Sequence, residues 1–598
     1  MSDTQIFPVN EAFYEVREIT DFKDLINQSA VLFHDKPAYK IKNDDGIYFD
    51  ILYSKFKDDI YYLGTSLLLN KYSRDKMGIM ASNCYKWCVS YLAVTVTGNI
   101  AVPMDKELPT DDLLNIINVS GMKVLFTDKK SVEKLVEIKD KLPKDFKIYV
   151  FDNEIDDGEF LSYKEFRKAG KEKYKNGDKS VDNVKIDPNA LSVLLFTSGT
   201  TGMSKGVCLS QKNICSDLTN LSGVVKINSE DQLLSVLPLH HTYECSLGFL
   251  MIIYSGACIA FCEGLRYIVQ NMQEVQPTIF VTVPLMIEKM HHKIIKTAQK
   301  KRGGTALLNV GKFAAKLTKS IGIDLQDKIF SEITKTFGGR MRLFITGAAA
   351  LDPRVAEDFM TFGIDLYIGY GLTECSPLVI GNNDRLKTPD TVGTPLPNVI
   401  AKIDKPDALG VGEILVKGPM VMLGYYNDEQ ATRDVFDDEG WFHTGDLGTI
   451  DEDNNYRITG RSKNIIVTKN GKNIFPEEVE LYLNRSPMVG ESMVFGKDDG
   501  DNDETVVSAK ILPNVEEIKK KYKNKENITS EDVKEAISDV IREVNKHLPN
   551  YKNIKHFDIR DNEFVKTTTQ KIKRYANLDN DKEAENKPEK EDLHSEEK

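Results

Sequence analysis

The chain has 598 residues, 28% of them charged and 41% hydrophobic, which is the composition of an ordinary globular protein too long for one core, so at least two domains are expected. A formal charge of -12 argues against a general nucleic-acid binder. Eight cysteines in a chain of this size do not make a disulfide framework, and neither Cys84/Cys88 nor Cys258/Cys262 has CxxC spacing, so free thiols in a reducing compartment are expected.

Residues 1–23 carry acids throughout and no apolar stretch of the length a secretory signal needs, so a cytoplasmic location is expected. From residue 13 to about 127, helical patterns at 56–69 and 87–96 alternate with short apolar strands at 99–105 and 123–127. This alternation predicts parallel α/β layers. Residues 164–187 are rich in lysine and aspartate with little periodicity, and read as a surface linker.

Residues 194–207, LLFTSGTTGMSKGV, join an apolar run to a loop of small hydroxylated residues. Thr197, Ser198, Thr200 and Thr201 offer hydroxyls, Gly199 and Gly202 let backbone amides approach an anion, and Lys205 adds positive charge: a phosphate-gripping loop. A Walker A loop needs adjacent Gly and Lys followed by Ser or Thr. Here Lys205 lies between Ser204 and Gly206, so that reading fits poorly.

The stretch LPLHHTYE, 237–244, continues an apolar run and carries a histidine pair. The uncharged run 245–262 approaches membrane-spanning length, but its Ser255-Gly256 pair predicts a turn between a buried helix and a buried strand. Residues 289–336 are basic and helical, either a charged solvent-facing helix pair or a surface suited to anionic membranes. Strands at 341–346 and 366–370 then feed small-residue loops, Gly347-Ala348 and Gly371-Leu372-Thr373-Glu374. In open α/β sheets ligands bind at the carboxyl ends of strands, where these loops fall. GWFHTGD ends on Asp446, and RITGRSK carries Arg461 and Lys463. KNGKN, with Gly471, reads as a turn before a helix opened by FPEEVE, whose early proline and acids suit a first turn. Lys571 lies in VKTTTQKIKR, and residues 579–598 hold nine acids and four lysines, a solvated tail.

TSGTTGMSKG resembles the signature loop of the AMP-forming adenylating superfamily, which includes acyl-CoA synthetases, peptide-synthetase adenylation domains and luciferases. YGLTE, 370–374, resembles its adenylate motif, and the resemblance runs from about Ala30 to Tyr575 in the family's motif order. It implies an α/β fold with a large N-terminal domain of layered α/β subdomains, 1–459. A small mobile α+β C-terminal domain, 460–576, and an acidic disordered tail, 577–598, follow. The family's cofactors are ATP, magnesium and coenzyme A. By resemblance the loop from Thr197 to Lys205 and the Gly347-Ala348 and Gly371 turns hold the nucleotide. Tyr370 lies against adenine, Thr373 bonds the α-phosphate, Asp446 holds the ribose hydroxyls, and Glu374 and Thr197 are the magnesium ligands. P-L-x-H-x-x-E assigns His241 to the reacting carboxylate. Arg461 reaches the nucleotide, Lys463 is the hinge, Gly471 lies where the pantetheine arm passes, and Lys571 is the catalytic lysine. Three positions depart from the family: Ser204 and Val565 stand for proline, and Gln570 for glycine.

The implied reaction has two steps. A fatty-acid carboxylate attacks the α-phosphorus of ATP to give acyl-AMP and pyrophosphate, and the coenzyme A thiol then displaces AMP. LPLHHTYE and the long basic region resemble long-chain fatty-acyl members. Two rivals stay open: a ligase that loads a carrier-protein phosphopantetheine, and a catalytically silent fatty-acid-binding regulator. Peripheral contact with the inner membrane face and a homodimer are further candidate associations; nucleic acid is not among them.

Overall fold

The computed structural model describes residues 11–43, 45–152, 158–197, 205–301, 303–320, 325–468, 472–499, 504–522, 525, 528–567 and 571–578. The chain divides into two compact units, Met1–Ile458 and Thr459–Lys598.

Among the described residues the first unit holds two large sheets and a smaller antiparallel one that includes Ile400–Asp404, Gly412–Lys417 and Phe442–Ile450. In the nine-stranded one, Asp365–Gly371, Leu343–Gly347, Ile279–Thr282, Gln232–Ser235, Cys258–Phe261 and Pro37–Lys42 run parallel in that spatial order. Antiparallel strands flank them, Leu378–Gly381 and Thr394–Pro395 at one edge and Tyr48–Leu52 at the other. The eight-stranded sheet places Ile100–Pro103, Lys76–Met80, Val124–Thr127, Lys147–Val150 and Phe160–Ser162 parallel. It continues through Leu191–Thr197, Lys205–Ser210 and Gly424–Tyr425. The predicted alternation is present: helices Tyr53–Leu69 and Tyr85–Val96 separate these strands. One apolar cluster serves both sheets, with Trp87 stacked on Tyr91 at 5.4 Å and met edge-on by Phe249. Such a core is worth far more as a shared layer than as two separate ones, because each sheet then buries its inner face.

The run 245–262 does not form one long helix. A helix over Glu244–Leu250 and Met251–Ser255 ends at Gly256, and Cys258–Phe261 enters the centre of the large sheet. Among the described residues no helix is long and apolar enough to cross a membrane. All eight cysteines are free.

The second unit, taken by itself, packs helices Pro476–Asn484 and Ser530–His547 on a sheet of Val489–Asp499, Glu504–Pro513 and His556–Ile559. Pro476 sits in the first turn with Glu477 and Glu478, as the sequence predicts. Residue 577, expected to begin the solvated tail, belongs to this core instead. Asn577 is fully buried, its side chain donates to the carbonyls of Val565 and Lys573, and its own carbonyl accepts from Lys510 Nζ at 2.6 Å. Residues 579–598 lie outside the described residues.

The surface linker expected at 164–187 is a correction. Tyr163–Lys175 is a helix capped by Ser162, whose Oγ accepts from Glu165 N at 3.3 Å, and Val181 is buried in a second short helix, Ser180–Asn183. Tyr163, Phe166, Gly170 and Tyr174 fall on one helical face, and the lysines between them hide that period from a reading of composition. The contact is close: a Cβ on Gly170 would lie 2.0 Å from Tyr62 O and 2.7 Å from Ser66 N. Gly170→Ala should therefore force the two helices apart, lowering stability by about 1–3 kcal/mol. A denaturant titration of full-length protein reads this as a lower midpoint; an unchanged midpoint counts against the packing.

Candidate active site

Strand Asp365–Gly371 delivers the first functional side chains. A Cβ on Gly371 would lie 1.9 Å from the Pro377 carbonyl oxygen, which accepts from Leu372 N at 2.9 Å, so the hairpin closes only around glycine. Tyr370 is buried and donates its phenol to Asp446 Oδ2 at 2.8 Å, from strand Phe442–Ile450. Burial, and then the Asp446 carboxylate, holds the Tyr370 phenol well above its usual pKa, so it remains a donor. On the neighbouring strand, Gly347 pairs with Gly369, and Ala348 adopts φ +72°, a left-handed conformation that a β-carbon disfavours.

The loop that follows ties the three sheets together. Glu374 Oε1 accepts from Tyr425 Oη at 2.9 Å, and the ring of Tyr425 lies 4.7 Å from the Lys205 ammonium. Thr197 pairs with Lys205 across the antiparallel strands, its Oγ1 donating to Lys205 O at 3.4 Å. Thr242 Oγ1 reaches Thr373 Oγ1 at 3.4 Å, a long contact that sets the histidine motif beside YGLTE. Thr197, Lys205, Tyr370, Thr373, Glu374 and Asp446 are thus linked within one unit. Ser198, Gly199, Thr200, Thr201 and Gly202 lie outside the described residues, as does Gly471.

His240 and His241 stand with ring centroids 4.2 Å apart. Burial, and secondarily Lys106, pushes the His240 imidazole down to about 3, so it is neutral at physiological pH despite Asp105 at 3.8 Å. His241 is half-buried in a turn that Asn83 clamps. Asn83 Oδ1 accepts from Leu239 N at 3.0 Å, and Nδ2 donates to Leu237 O at 2.6 Å and to Ser235 Oγ at 3.2 Å. Ser235 in turn donates to Glu244 Oε1 at 2.5 Å.

In the second unit, Arg461 ends a strand and Lys463 sits in the following turn, Ser462–Asn464; both are exposed. Lys571 is exposed on a tight return: Thr567 N donates to Lys571 O at 2.8 Å and Lys571 N to Thr567 Oγ1 at 3.1 Å. Gln570 lies outside the described residues.

Asn83, Thr242, Glu244 and Tyr425 were not singled out by the sequence. Glu244 alone carried a signal, as the acid that ends LPLHHTYE. Asn83 and Tyr425 sit far from their partners in the chain, and no local spacing marks them.

Glu244 is fully buried, and its Oε2 has no hydrogen-bond partner among the described residues. Burial raises its carboxyl to about 8, with Ser235 opposing the rise. Because the folded protein holds this proton and the unfolded chain releases it near the ordinary glutamate value, stability falls as pH rises from about 4.5 to about 8, by up to about 1.4 kcal/mol per unit from this group. Glu244→Gln mimics the neutral acid and should remove that decline. Denaturation midpoints of parent and variant, compared from about pH 5 to about pH 8, should converge at the acid end and separate in the variant's favour at the alkaline end; parallel curves would show an ionised Glu244.

The family model described as AMP-binding enzyme matches residues 26–426, and that described as AMP-binding enzyme C-terminal domain matches 463–582. Long-chain-fatty-acid–CoA ligase 5 of Mus musculus is 31% identical over 481 residues, which cover 75% of this chain and 69% of that protein. Long-chain-fatty-acid–CoA ligase 1 of Cavia porcellus is 30% identical over 520 residues, 81% of this chain and 73% of that one. The crystal structure of the anthranilate CoA ligase AuaEII with anthranoyl-AMP shares the fold, with a TM-score of 0.73 at 20% identity over 97% of this chain and 99% of that one. With both domain models matched in order, the chain belongs to the AMP-binding enzyme family.

Proposed function

We propose that this protein is an AMP-forming fatty-acid–CoA ligase working on the cytoplasmic side. The observation that carries the reading is the linkage of Lys205, Glu374 and Asp446 to Tyr370 and the loop at the carboxyl end of strand Asp365–Gly371, through Tyr425 and the buried phenol–carboxylate bond. A cation, a hard carboxylate, an aromatic wall and a ribose-sized acceptor are what a nucleoside triphosphate requires.

In the first step a carboxylate oxygen of the fatty acid attacks the α-phosphorus, the bond to pyrophosphate breaks, and acyl-AMP forms. Lys205 and Lys571 balance charge on the phosphate and acyl oxygens, Thr373 donates to the α-phosphate, and Asp446 accepts from the ribose. His241 orients the carboxylate by hydrogen bonding. Glu374, whose Oε1 accepts from Tyr425, and Thr197 would hold magnesium, which would supply charge neutralisation at the phosphates. In the second step the coenzyme A sulfur attacks the acyl carbon, the thiol proton passes to solvent, and AMP leaves with the bonding electrons. We assign Gly471 to the pantetheine arm, Arg461 to the nucleotide and Lys463 to a hinge between steps.

A fatty-acyl substrate is supported by the ligases of similar sequence. Labelled ATP should give AMP and pyrophosphate; ADP and phosphate would overturn the reading. Across acids from acetate to stearate, each methylene buried should improve kcat/KM by about 0.8 kcal/mol until the pocket fills, and a preference for acetate would refute the substrate class. Lys571→Ala should slow pyrophosphate release by about two orders of magnitude yet spare thioester formation from synthetic acyl-AMP, and equal loss in both assays would remove Lys571 from its assigned step.

A further inference from the structure

Residues 289–320 carry eight lysines and one arginine and no acid, inside a chain whose formal charge is -12. The segment builds most of helix Pro284–Lys300 and all of helix Gly304–Ser320, which pack on each other. The second helix is anchored from one side. Leu308 and Ala315 join the apolar cluster around Phe330 and Phe359, and Lys312 Nζ donates to Asp358 Oδ2 at 2.6 Å, an oxygen shared with His291.

The opposite side is open. Leu307 is 74% exposed, Val310 64%, Phe313 70% and Leu317 54%, an apolar stripe that a helix of 3.6 residues per turn directs away from Leu308, Gly311, Lys312 and Ala315. A stripe of this kind on a soluble surface marks something that covers it. The flanking charge identifies what. Lys301 is matched by Glu332 and Lys312 by Asp358, while Lys316 on the same helix and Lys289, Lys293 and Lys300 on the helix packed against it are exposed. A helix with an apolar outer face and a cationic border suits the boundary of an anionic bilayer, where the side chains enter the acyl region and the ammonium groups stay at the phosphates.

We infer that helix Gly304–Ser320 docks this protein on an anionic lipid surface, lying in the membrane plane with Leu307, Val310, Phe313 and Leu317 inserted. The inference rests on the fatty-acyl reading only for its purpose, since a membrane is where such acids dissolve; the binding itself rests on the helix.

The full-length protein is sedimented with vesicles of phosphatidylcholine alone or mixed with phosphatidylglycerol. Binding should favour the mixed vesicles and weaken as salt rises. The double substitution Val310→Asp/Phe313→Asp should weaken it about tenfold or more, because two charged side chains would have to enter the apolar layer. The triple substitution Lys293→Glu/Lys300→Glu/Lys316→Glu should abolish the preference for the anionic mixture. Both variants should retain the parental rate of acyl-CoA formation from a soluble medium-chain acid without vesicles, which separates loss of docking from loss of fold. Parental and Val310→Asp/Phe313→Asp proteins binding mixed vesicles equally would overturn the inference, as would capture of an acidic carrier protein or nucleic acid by this face with vesicles ignored. If docking follows the expected pattern while none of the three proteins makes acyl-CoA, the ligase reading fails and the docking surface stands.

Discussion

A phenol and a carboxylate can leave water together only if each satisfies the other, and the bond from Tyr370 to Asp446 meets that condition between two different sheets. It fixes the end of strand Asp365–Gly371 against strand Phe442–Ile450. Immediately downstream, Glu374 accepts from Tyr425, whose strand pairs with Lys205–Ser210 in the eight-stranded sheet. Three sheets therefore converge on five consecutive residues. Parting Tyr370 from Asp446 would leave buried polar groups unmatched, so the loop is positioned by the surrounding structure and does not depend on its own propensity.

Behind this loop lies a second polar line, from Asn83 through Ser235 to Glu244. Its logic is the reverse. Tyr370 and Asp446 are a donor and an acceptor, whereas Glu244 sits against Gly248 in an apolar layer with too few donors to carry a charge, and burial keeps the acid protonated. The line braces the turn that presents His241 while adding no net charge beneath it. A neutral His240 has the same effect. The buried groups beside His241 are thus neutral, and charge is concentrated at Lys205 and Glu374.

The basic helices extend the same division to the surface. Their inner faces are fastened by Asp358 and by apolar packing, and their outer faces pair exposed hydrocarbon with lysine. An enzyme whose substrate is sparingly soluble gains from meeting it at an interface. Nothing in the fold's own stability calls for Phe313 to point outward.

The sequence was informative wherever function depends on neighbours in the chain. The YGLTE turn, the early proline of helix Pro476–Asn484 and the alternation of helix and strand are local patterns, set by backbone conformation and periodicity. It misled where composition obscured periodicity, as in helix Tyr163–Lys175, whose lysines face solvent while Gly170 fits against Tyr62. It was silent on Asn83, Tyr425 and the protonation of Glu244. Their roles come from partners such as Leu239, Glu374 and Ser235, and the first two are separated from theirs by 156 and 51 residues. Burial and hydrogen-bond satisfaction are properties of the packed chain: a spacing rule can nominate the residues that touch a ligand, but which side chains orient them, and which acids stay neutral, is decided only when distant segments exclude water together.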